Sequence, residues 1–300
     1  MCYNSMLIKD INMKQIDTLV EDIYDLMKNK DISEEVNLAL EVDRFGENVK
    51  TLIGNIFTEK REQNPRLRMS NIGKGDRYLW NEAQRLEGEE LTAPTLIKFM
   101  YGHLIEEMLI FLIRTSGHEV THEQEEVTVE GIKGHIDCFI DGKLMDIKSA
   151  STFGFKKFKE GTLKYDDPFG YIDQIKGYAH GLDETDFGWL AMDKQHGHLT
   201  VLQYGLSDLP EAPSVVDRIK HLKDVVASPD APERCFKDVP DGKSGNRKLS
   251  INCSYCKFKA HCWPDLRTFY YSTGPKYLTY VAREPRVYEA APTISEGALF

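Results

Sequence analysis

Two aspartates lie where the sequence predicts neighbouring strands of one sheet. Asp137 and Asp146 belong to the apolar segments GHIDCFI and KLMDIKSA, and the Asp141-Gly142 dipeptide between these segments predicts a tight turn joining antiparallel strands. Cross-strand pairing would bring both carboxylates within reach of one ion, and like charges so close together need a divalent cation between them. Oxygen ligands favour Mg²⁺ or Mn²⁺ over zinc.

A lysine and a glutamate extend this acidic group. Lys148 follows Asp146 by two positions, so both side chains point to the same face of a strand. Glu106 lies in KFMYGHLIEEMLIFLI, a segment that predicts a helix apolar almost all round, where an unpaired carboxylate would be costly to bury. We therefore expect a cation beside Glu106. Glu107 is interpreted as a solvated or salt-bridged neighbour.

The cysteines form a second group with metal-ligand spacing. Three of them follow the pattern C-x2-C-x5-C, in which the C-x2-C pair forms a tight turn that can present two thiolates to one metal centre. A fourth cysteine lies eighteen residues earlier. The candidate ligands are Cys235, Cys253, Cys256 and Cys262. The other two cysteines, Cys2 and Cys138, are interpreted as non-ligands, with Cys138 a buried strand residue.

The composition limits the classes of protein that could hold these groups. The chain has 300 residues, a formal charge of −10 and 41% apolar residues, which is typical of one large or two smaller globular domains and excludes a disordered or collagen-like chain. No export signal or membrane span is visible, so the prediction is a cytoplasmic protein without membrane association. In a reducing compartment, cysteines are more often metal ligands or thiols than disulfides.

The pattern of elements predicts an α/β fold with four regions. Helical spacing covers residues 1–60, a core of helices and strands covers 61–232, the cysteine module covers 233–265, and an extended arm covers 266–300. Within the core we expect a helix, three consecutive antiparallel strands, a second helix and another strand pair. This order favours a mixed β-sheet flanked by helices, with a helical N-terminal layer and a C-terminal cysteine-cluster module.

Three short stretches concentrate positive charge despite the acidic total. Residues 61–80, 143–164 and 243–267 carry formal charges of +3, +4 and +5. Such stretches are either solvated loops or contacts for a polyanion. The candidate DNA contacts in the second stretch are Lys156, Lys157 and Lys159.

The acidic group resembles the core motif of the PD-(D/E)XK nucleases. Asp137 is followed by Asp146-Ile147-Lys148, and Glu106 closes the segment GHLIE on a preceding helix, as in the family's first motif. Downstream, Gln174 and Tyr178 match the Q-x-x-x-Y signature of the RecB-like branch. The resemblance implies a restriction-endonuclease-like sheet and DNA as the substrate.

The resemblance also implies roles for individual residues. Asp137, Asp146 and the Ile147 carbonyl would hold one Mg²⁺ or Mn²⁺, and Glu106 and His103 would complete that site or a second one. Lys148 would orient or help activate the attacking water. Gln174 and Tyr178 would line the DNA path, and their i, i+4 spacing places them on one helix face. Two alternatives stay open, a packed helix residue for His103 and a helix face against the sheet for Gln174 and Tyr178.

The cysteine pattern resembles the iron–sulfur cap of AddB-type and CRISPR-associated RecB-like nucleases. In those proteins one cysteine precedes the nuclease motifs, but in this chain Asp76 stands at the matching place, and Cys235 is the obvious replacement. Trp263-Pro264 could shield a cluster from solvent. The expectation is therefore a [4Fe–4S] cluster, with Zn²⁺ as the alternative because both accept four thiolates.

These observations lead to three hypotheses of function. The first is a metal-dependent, ATP-independent DNA exonuclease of replication, recombination or repair, with a possible protein partner from those processes. The second is a structure-specific or restriction-like endonuclease on the same core. The third is a non-catalytic nucleic-acid-binding factor with a cysteine-bound metal. A nucleotide cofactor is not expected, because Asp241-Gly-Lys-Ser244 lacks the first glycine of a phosphate loop.

Overall fold

The computed structural model describes residues 14–58 and 66–290, which divide into two compact units. Within the described residues, the first unit comprises 14–58, 67–73 and 92–219, and the second comprises 66, 74–91 and 220–290. The helices are α1 (Leu19–Asn29), α2 (Leu38–Thr58), α3 (Asp76–Ala83), α4 (Ala93–Thr115), α5 (Thr152–Lys159), α6 (Tyr171–Gly181), α7 (Val215–Ala227), α8 (Ile251–Ser254) and α9 (Lys259–Cys262). The strands are β1 (Val120–Thr121), β2 (Glu126–Val129), β3 (Ile132–His135), β4 (Cys138–Ile140), β5 (Lys143–Ala150), β6 (Asp186–Asp193), β7 (Leu199–Gly205), β8 (Val239–Pro240), β9 (Arg247–Lys248), β10 (Arg267–Tyr271), β11 (Gly274–Tyr280) and β12 (Tyr288–Glu289).

The first unit is built on a mixed five-stranded sheet in the order β1-β4-β5-β6-β7. Strands β5 and β6 run parallel, whereas the other neighbours are antiparallel. A parallel pair needs a crossover connection, and here α5 and α6 provide it. The prediction of an α/β fold with a mixed sheet flanked by helices is confirmed.

Helix α4 packs its apolar side on this sheet. Ile105, Leu109 and Ile113 recur at i, i+4 and i+8 and are buried with Ile147 of β5 and Leu190 of β6. This spacing keeps one face of the helix on the sheet. Although α4 has 23 residues, neither it nor any other helix in the described segments is long and apolar enough to cross a membrane.

The expected run of three consecutive antiparallel strands was only partly correct. Strands β2 and β3 form a hairpin of their own, and only β4 and β5 pair in the main sheet. The chain leaves the hairpin at Ile136, whose N–H donates to the Glu125 carbonyl, while the Gln124 N–H donates to the carbonyl of Asp137. Asp137 therefore lies just before β4 rather than inside a continuous strand.

The second unit contains a five-stranded antiparallel sheet in the order β12-β10-β11-β9-β8. The expected extended arm over 266–300 was therefore wrong for the described part of that segment. Phe269 of β10 and Leu278 of β11 are buried, and alternation along the strands places them on one face. This burial outweighs the Pro and Gly content that favoured an arm; residues 291–300 lie outside the described residues.

The boundaries between regions also differ from the expected ones. Residues 74–91 and 220–232 were assigned to the nuclease core, but they belong to the second unit together with the cysteine module. The reason is visible in hydrogen bonds that hold the segment around α3 in that unit. Trp80 Nε1 donates to the Ser228 carbonyl at 2.9 Å, and the Glu89 N–H donates to the Lys257 carbonyl at 2.9 Å.

Candidate active site and cysteine site

Strand β5 supplies the centre of the acidic group. Asp146 is only 3% exposed, and Lys148 lies on the same strand face two residues later. The Lys148 Nζ atom is 2.6 Å from Asp146 Oδ2 and 4.0 Å from Asp137 Oδ2. The structure thus brings Asp137, Asp146 and Lys148 together, as the spacing of the two motifs predicted.

A backbone hydrogen bond fixes Asp137 in this group. The Ile147 N–H donates to Asp137 Oδ2 at 2.6 Å. The chain can make this bond because Asp137 precedes β4, and the pairing of Cys138 with Met145 places Asp137 beside the middle of β5. The structure thus ties the Ile147 N–H to the site, while a ligand role for the Ile147 carbonyl stays a prediction.

Helix α4 brings Glu106 to the same group. Glu106 Oε1 accepts a hydrogen bond from Gln124 Nε2 at 3.2 Å. The negative charges of Asp137 and Asp146 also raise the pKa of the Glu106 carboxyl group. His103, Glu106 and Gln124 line a cavity of about 410 Å³ between α2 and α4. The cavity provides room for a polar ligand beside Glu106.

The acidic side chains are crowded enough to change their protonation. Burial raises the pKa of Glu106 to about 8, and the charge of Asp137 adds to this effect. Burial also raises the pKa of Asp146 to about 7, against the opposing charge of Lys148. Burial lowers the pKa of Lys148, but Asp146 and Asp137 more than offset this and raise it above its usual range. Three carboxyl groups therefore share one ammonium, and protonation near neutral pH relieves the excess negative charge unless a further cation binds.

This donor set fits a divalent cation. Asp146 Oδ2 is buried and accepts no hydrogen bond of normal geometry in the described part of the chain, although Lys148 Nζ lies nearby. A hard cation with oxygen ligands would satisfy such an acceptor and offset the excess charge. As the side chains stand, no three His, Cys, Asp or Glu residues in 14–58 and 66–290 are arranged to hold a metal ion. The residues that fit Mg²⁺ or Mn²⁺ by type are Glu106, Asp137 and Asp146.

The two residues expected on the DNA path have different surroundings. Gln174 Nε2 donates to Asp146 Oδ1 at 3.3 Å, so this side chain touches the acidic group itself. Tyr178 is 2% exposed, and burial raises its pKa to about 12. A Cβ added at Gly134 would lie 2.7 Å from the Tyr178 ring, so the ring fills the space beside that glycine. Tyr178 is thus a packed position, which fits the alternative of a helix face against the sheet, while its contact with DNA stays a prediction.

Two residues of the site were missed in the sequence. The Lys148 ammonium lies 5.4 Å from the ring centroid of Tyr171. Gln124 orients Glu106 through the hydrogen bond described above. Tyr171 precedes Gln174 by three positions on α6, so helical spacing from Gln174 could have identified it. Gln124 carries no such signal, because it lies in a turn between β1 and β2.

The lysines of α5 are not equivalent. Lys156 is exposed and pairs with Glu160 at 3.6 Å, and Lys159 is exposed as well. The side chain of Lys157 is mostly covered, and its Nζ atom lies 2.7 Å from Asp166 Oδ2. Lys156 and Lys159 can therefore contact a polyanion, whereas Lys157 already forms an ion pair with Asp166.

The four candidate cysteine ligands lie in the second unit. Cys253 follows Ser250, whose Oγ accepts the Cys253 N–H at 3.4 Å and caps α8. Cys235 lies against Gly75, the residue before Asp76 at the start of α3, and a Cβ added there would lie 2.4 Å from Cys235 Sγ. Cys235 therefore reaches the place next to Asp76, as the proposed replacement requires. Cys138 is fully buried in β4 of the first unit, as predicted.

The thiols of this group influence one another. Burial raises the pKa of Cys256 to about 11, and the charges of Cys262, Cys253 and Cys235 act in the same direction. Such crowding favours neutral thiols until a cation is bound. The Trp263 Nε1–H, directly after Cys262, is buried and has no acceptor within the described segments. The donor types and this free N–H fit a metal or an iron–sulfur cluster.

Comparisons with known proteins give only low sequence identities and low TM-scores to solved structures. The chain matches no family model, and no curated protein is similar to it. Among solved structures, SSO0001 is 14% identical, with a TM-score of 0.41 over 71% of this chain and 93% of that one. The alkaline exonuclease LHK-Exo from Laribacter hongkongensis is 16% identical, with a TM-score of 0.35 over 54% and 84% of the two chains. A phage-related exonuclease from Haemophilus somnus 129PT is 14% identical, with a TM-score of 0.38 over 54% and 91%.

Proposed function

We propose that this protein is a divalent-metal-dependent nuclease that hydrolyses phosphodiester bonds of DNA. The observation that carries the proposal is the acidic group, in which Asp146 of β5, Glu106 of α4 and Asp137 before β4 surround Lys148. A bound Mg²⁺ or Mn²⁺ would polarise the scissile phosphate and lower the pKa of the attacking water. The PD-(D/E)XK resemblance of the motifs supports this assignment.

Individual residues of the chain would have separate roles around that ion. The carboxylates of Asp137 and Asp146 would hold it, Asp137 being fixed by the Ile147 N–H. The Lys148 ammonium would orient the water and offset the charge that develops on the phosphate oxygens. Gln174 would keep Asp146 in position through its amide.

The preferred form of this function is an ATP-independent exonuclease of DNA replication, recombination or repair. Its alternative is a structure-specific or restriction-like endonuclease. End-labelled linear, nicked and closed circular DNA separate the two when they are incubated with the protein and Mg²⁺. An exonuclease releases mononucleotides or short products from linear and nicked DNA and leaves the closed circle intact. Cutting of the closed circle would establish an endonuclease.

The assignment of the acidic group is tested by single substitutions. Asp146→Ala is expected to lower the cleavage rate by at least about a hundredfold, because it removes a ligand and the partner of Lys148. Glu106→Gln is expected to abolish Mg²⁺-dependent cleavage, whereas Glu107→Gln on the same helix is the matched control, since Glu107 accepts from Asn48 at 2.9 Å. Substantial Mg²⁺-dependent cleavage by Asp146→Ala would contradict the proposal.

We further propose that Cys235, Cys253, Cys256 and Cys262 hold a [4Fe–4S] cluster with a structural role, with Zn²⁺ as the alternative. The proposal is supported by the spacing C-x2-C-x5-C and by the position of Cys235 against Gly75. Anaerobically purified protein is expected to be brown and to contain about four irons per chain. Colourless anaerobic protein with one zinc would establish the alternative, and neither result bears on the acidic group.

A further inference from the structure

The sheet of the second unit has one covered face and one face with exposed tyrosines. Phe269 and Leu278 are buried on one side. Because successive strand residues point to opposite sides, Tyr270 lies on the other side, together with its cross-strand partner Tyr288. Tyr270 is 50% exposed and Tyr288 is 72% exposed. Two large aromatic rings therefore stand outside the core of this sheet.

These rings belong to a larger group. The ring centroids of Tyr270 and Tyr288 are 5.9 Å apart, with 33° between their planes. Burial raises the pKa of Tyr277 on β11, and Glu89, Tyr270 and Tyr255 add to the effect, so Tyr255 and Tyr270 are neighbours of Tyr277. Tyr255 is 78% exposed. We call Tyr255, Tyr270, Tyr277 and Tyr288 the tyrosine face.

Sheet stability does not account for this exposure. A cross-strand aromatic pair contributes to pairing, but rings that remain half or more exposed add little by burial. Five of the chain's 14 tyrosines fall within residues 266–290. Exposed, clustered aromatic rings are more typical of a binding surface than of a fold-supporting face.

The segment that leads into β12 carries positive charge. Arg283 and Arg286 are exposed in the segment between β11 and β12, and neither guanidinium has a carboxylate within 4 Å in the described residues. Glu284, between them, pairs with Arg267 at 2.6 Å. Asn246 holds the segment in place, because its Oδ1 accepts the N–H of Arg283 at 2.8 Å. Two arginines are therefore exposed in the segment that leads into β12, where Arg286 precedes Tyr288 by two positions.

We propose that the tyrosine face binds single-stranded DNA, with bases stacked on Tyr270 and Tyr288 and a phosphate contacting Arg286. Aromatic rings that accept bases and cations that follow the backbone are the two components of such sites. Every base has a π face, so this binding does not depend on sequence. The choice of DNA rests on the proposed function, whereas the stacking geometry comes from the sheet.

The test measures binding of the full-length protein to a labelled single-stranded oligonucleotide by fluorescence anisotropy in Ca²⁺. The double variant Tyr270→Ala/Tyr288→Ala is expected to bind about tenfold or more weakly. The double variant Tyr270→Phe/Tyr288→Phe keeps the rings and should bind within about threefold of the unchanged protein. Tyr271→Ala is the matched control, because Tyr271 is the next residue along β10 and lies on the opposite face.

Several outcomes would overturn the proposal. These are unchanged affinity in the double alanine variant, equal loss in the Tyr271→Ala control, and equal affinity for an oligonucleotide of abasic sites, which keeps the phosphates and lacks the bases. Tighter binding of single-stranded RNA of the same sequence would overturn the choice of DNA. Because the assay detects binding and no cleavage, failure here is distinguishable from failure of the proposed nuclease, which the Asp146→Ala cleavage assay detects.

Discussion

The acidic group of the first unit and the cysteine group of the second unit are held by different kinds of structure. Glu106 and Asp146 are carried by a 23-residue helix and an eight-residue central strand with a shared apolar core. The cysteines are carried by loops and by α8 and α9, which have four residues each. Helices this short have no stability of their own. The acidic group is therefore positioned by long, packed elements, whereas the cysteine group lies on short helices and loops.

Hydrogen bonding shows the same contrast. Asp137 accepts from the Ile147 N–H at 2.6 Å, and Asp146 accepts from Gln174. These contacts fix the carboxylates without any ion. In the cysteine group, the raised pKa of Cys256 keeps its sulfur neutral, so a metal that binds there would have to displace the proton. A metal at the acidic group would then serve chemistry, and a metal at the cysteine group would serve folding.

The largest expected effect comes from removing one cysteine. Cys256→Ala is expected to lose the metal of the second unit, because apparent binding free energies of structural metal sites are about 10 kcal/mol or more and become folding free energy. Hydrogen exchange should then show loss of protection in 220–290 and retained protection in β4–β6. Metal content is measured on the same sample.

The matched control is Cys138→Ala, which removes a buried thiol that is no ligand candidate. Its metal content is expected to stay unchanged, although the cavity costs some stability of the first unit. If Cys256→Ala kept full metal content, or lost protection equally in both units, the proposed contrast would be wrong. In that contrast the fold positions the acidic group, and a bound metal stabilises the cysteine group.

The sequence predicted the acidic group better than the cysteine region for a physical reason. A turn between two apolar strands and a lysine two residues after an aspartate are local patterns, and local geometry is enough to bring Asp137, Asp146 and Lys148 together. The fold class followed from the same periodicity. The separation of the β2–β3 hairpin from the main sheet at Ile136 could not be predicted in this way. It depends on the backbone hydrogen bonds between Ile136 and Glu125 and between Gln124 and Asp137.

Contacts between distant segments explain the rest of what was missed. The arm expected after residue 266 contains three strands, β10, β11 and β12, which form one sheet with β8 and β9. Residues 74–91 lie with the cysteine module through bonds that span more than 140 positions, such as that from Trp80 to Ser228. Tyr178 shares a helix face with Gln174, but only packing decides which of the two reaches the acidic group and which is buried.

The second prediction concerns Gln174. Gln174→Ala is expected to lower the cleavage rate by about 10- to 100-fold, as for residues that orient metal ligands, with little change in DNA affinity measured in Ca²⁺. Tyr178→Phe keeps the buried ring and should have a smaller effect. An equal loss of DNA affinity and cleavage rate in Gln174→Ala would instead support the DNA contact that the sequence favoured.

The third prediction tests the close approach of Cys235 to α3. Gly75→Ala places a Cβ 2.4 Å from Cys235 Sγ and 2.8 Å from its Cβ, so the cysteine must move. We expect reduced metal occupancy and a loss of stability of about 1–3 kcal/mol, as for an overpacked site. Gly46→Ala on α2 is the control, because nothing lies within 4 Å of its added Cβ; it should raise stability by about 0.5–1 kcal/mol. Thermal unfolding and metal analysis of both variants measure these effects, and full metal occupancy in Gly75→Ala would show that the position of Cys235 against Gly75 is not needed for metal binding.

The smallest expected effect concerns the lysines of α5. Their positive charges lie on the surface of the first unit and do not form a defined binding site. Lys156→Gln and Lys159→Gln should each weaken DNA binding in Ca²⁺ and lower the slope of log affinity against log salt by about one, because each releases one counterion fewer. Lys157→Gln should leave the slope nearly unchanged and lower thermal stability, since Lys157 Nζ lies 2.7 Å from Asp166 and also donates to the Asp166 carbonyl at 3.0 Å. A full unit of slope lost in Lys157→Gln would show that the ion pair opens when DNA binds. Unchanged slopes in Lys156→Gln and Lys159→Gln would identify α5 as an ordinary solvated face, because a lysine that contacts phosphate cannot be removed without changing the salt dependence.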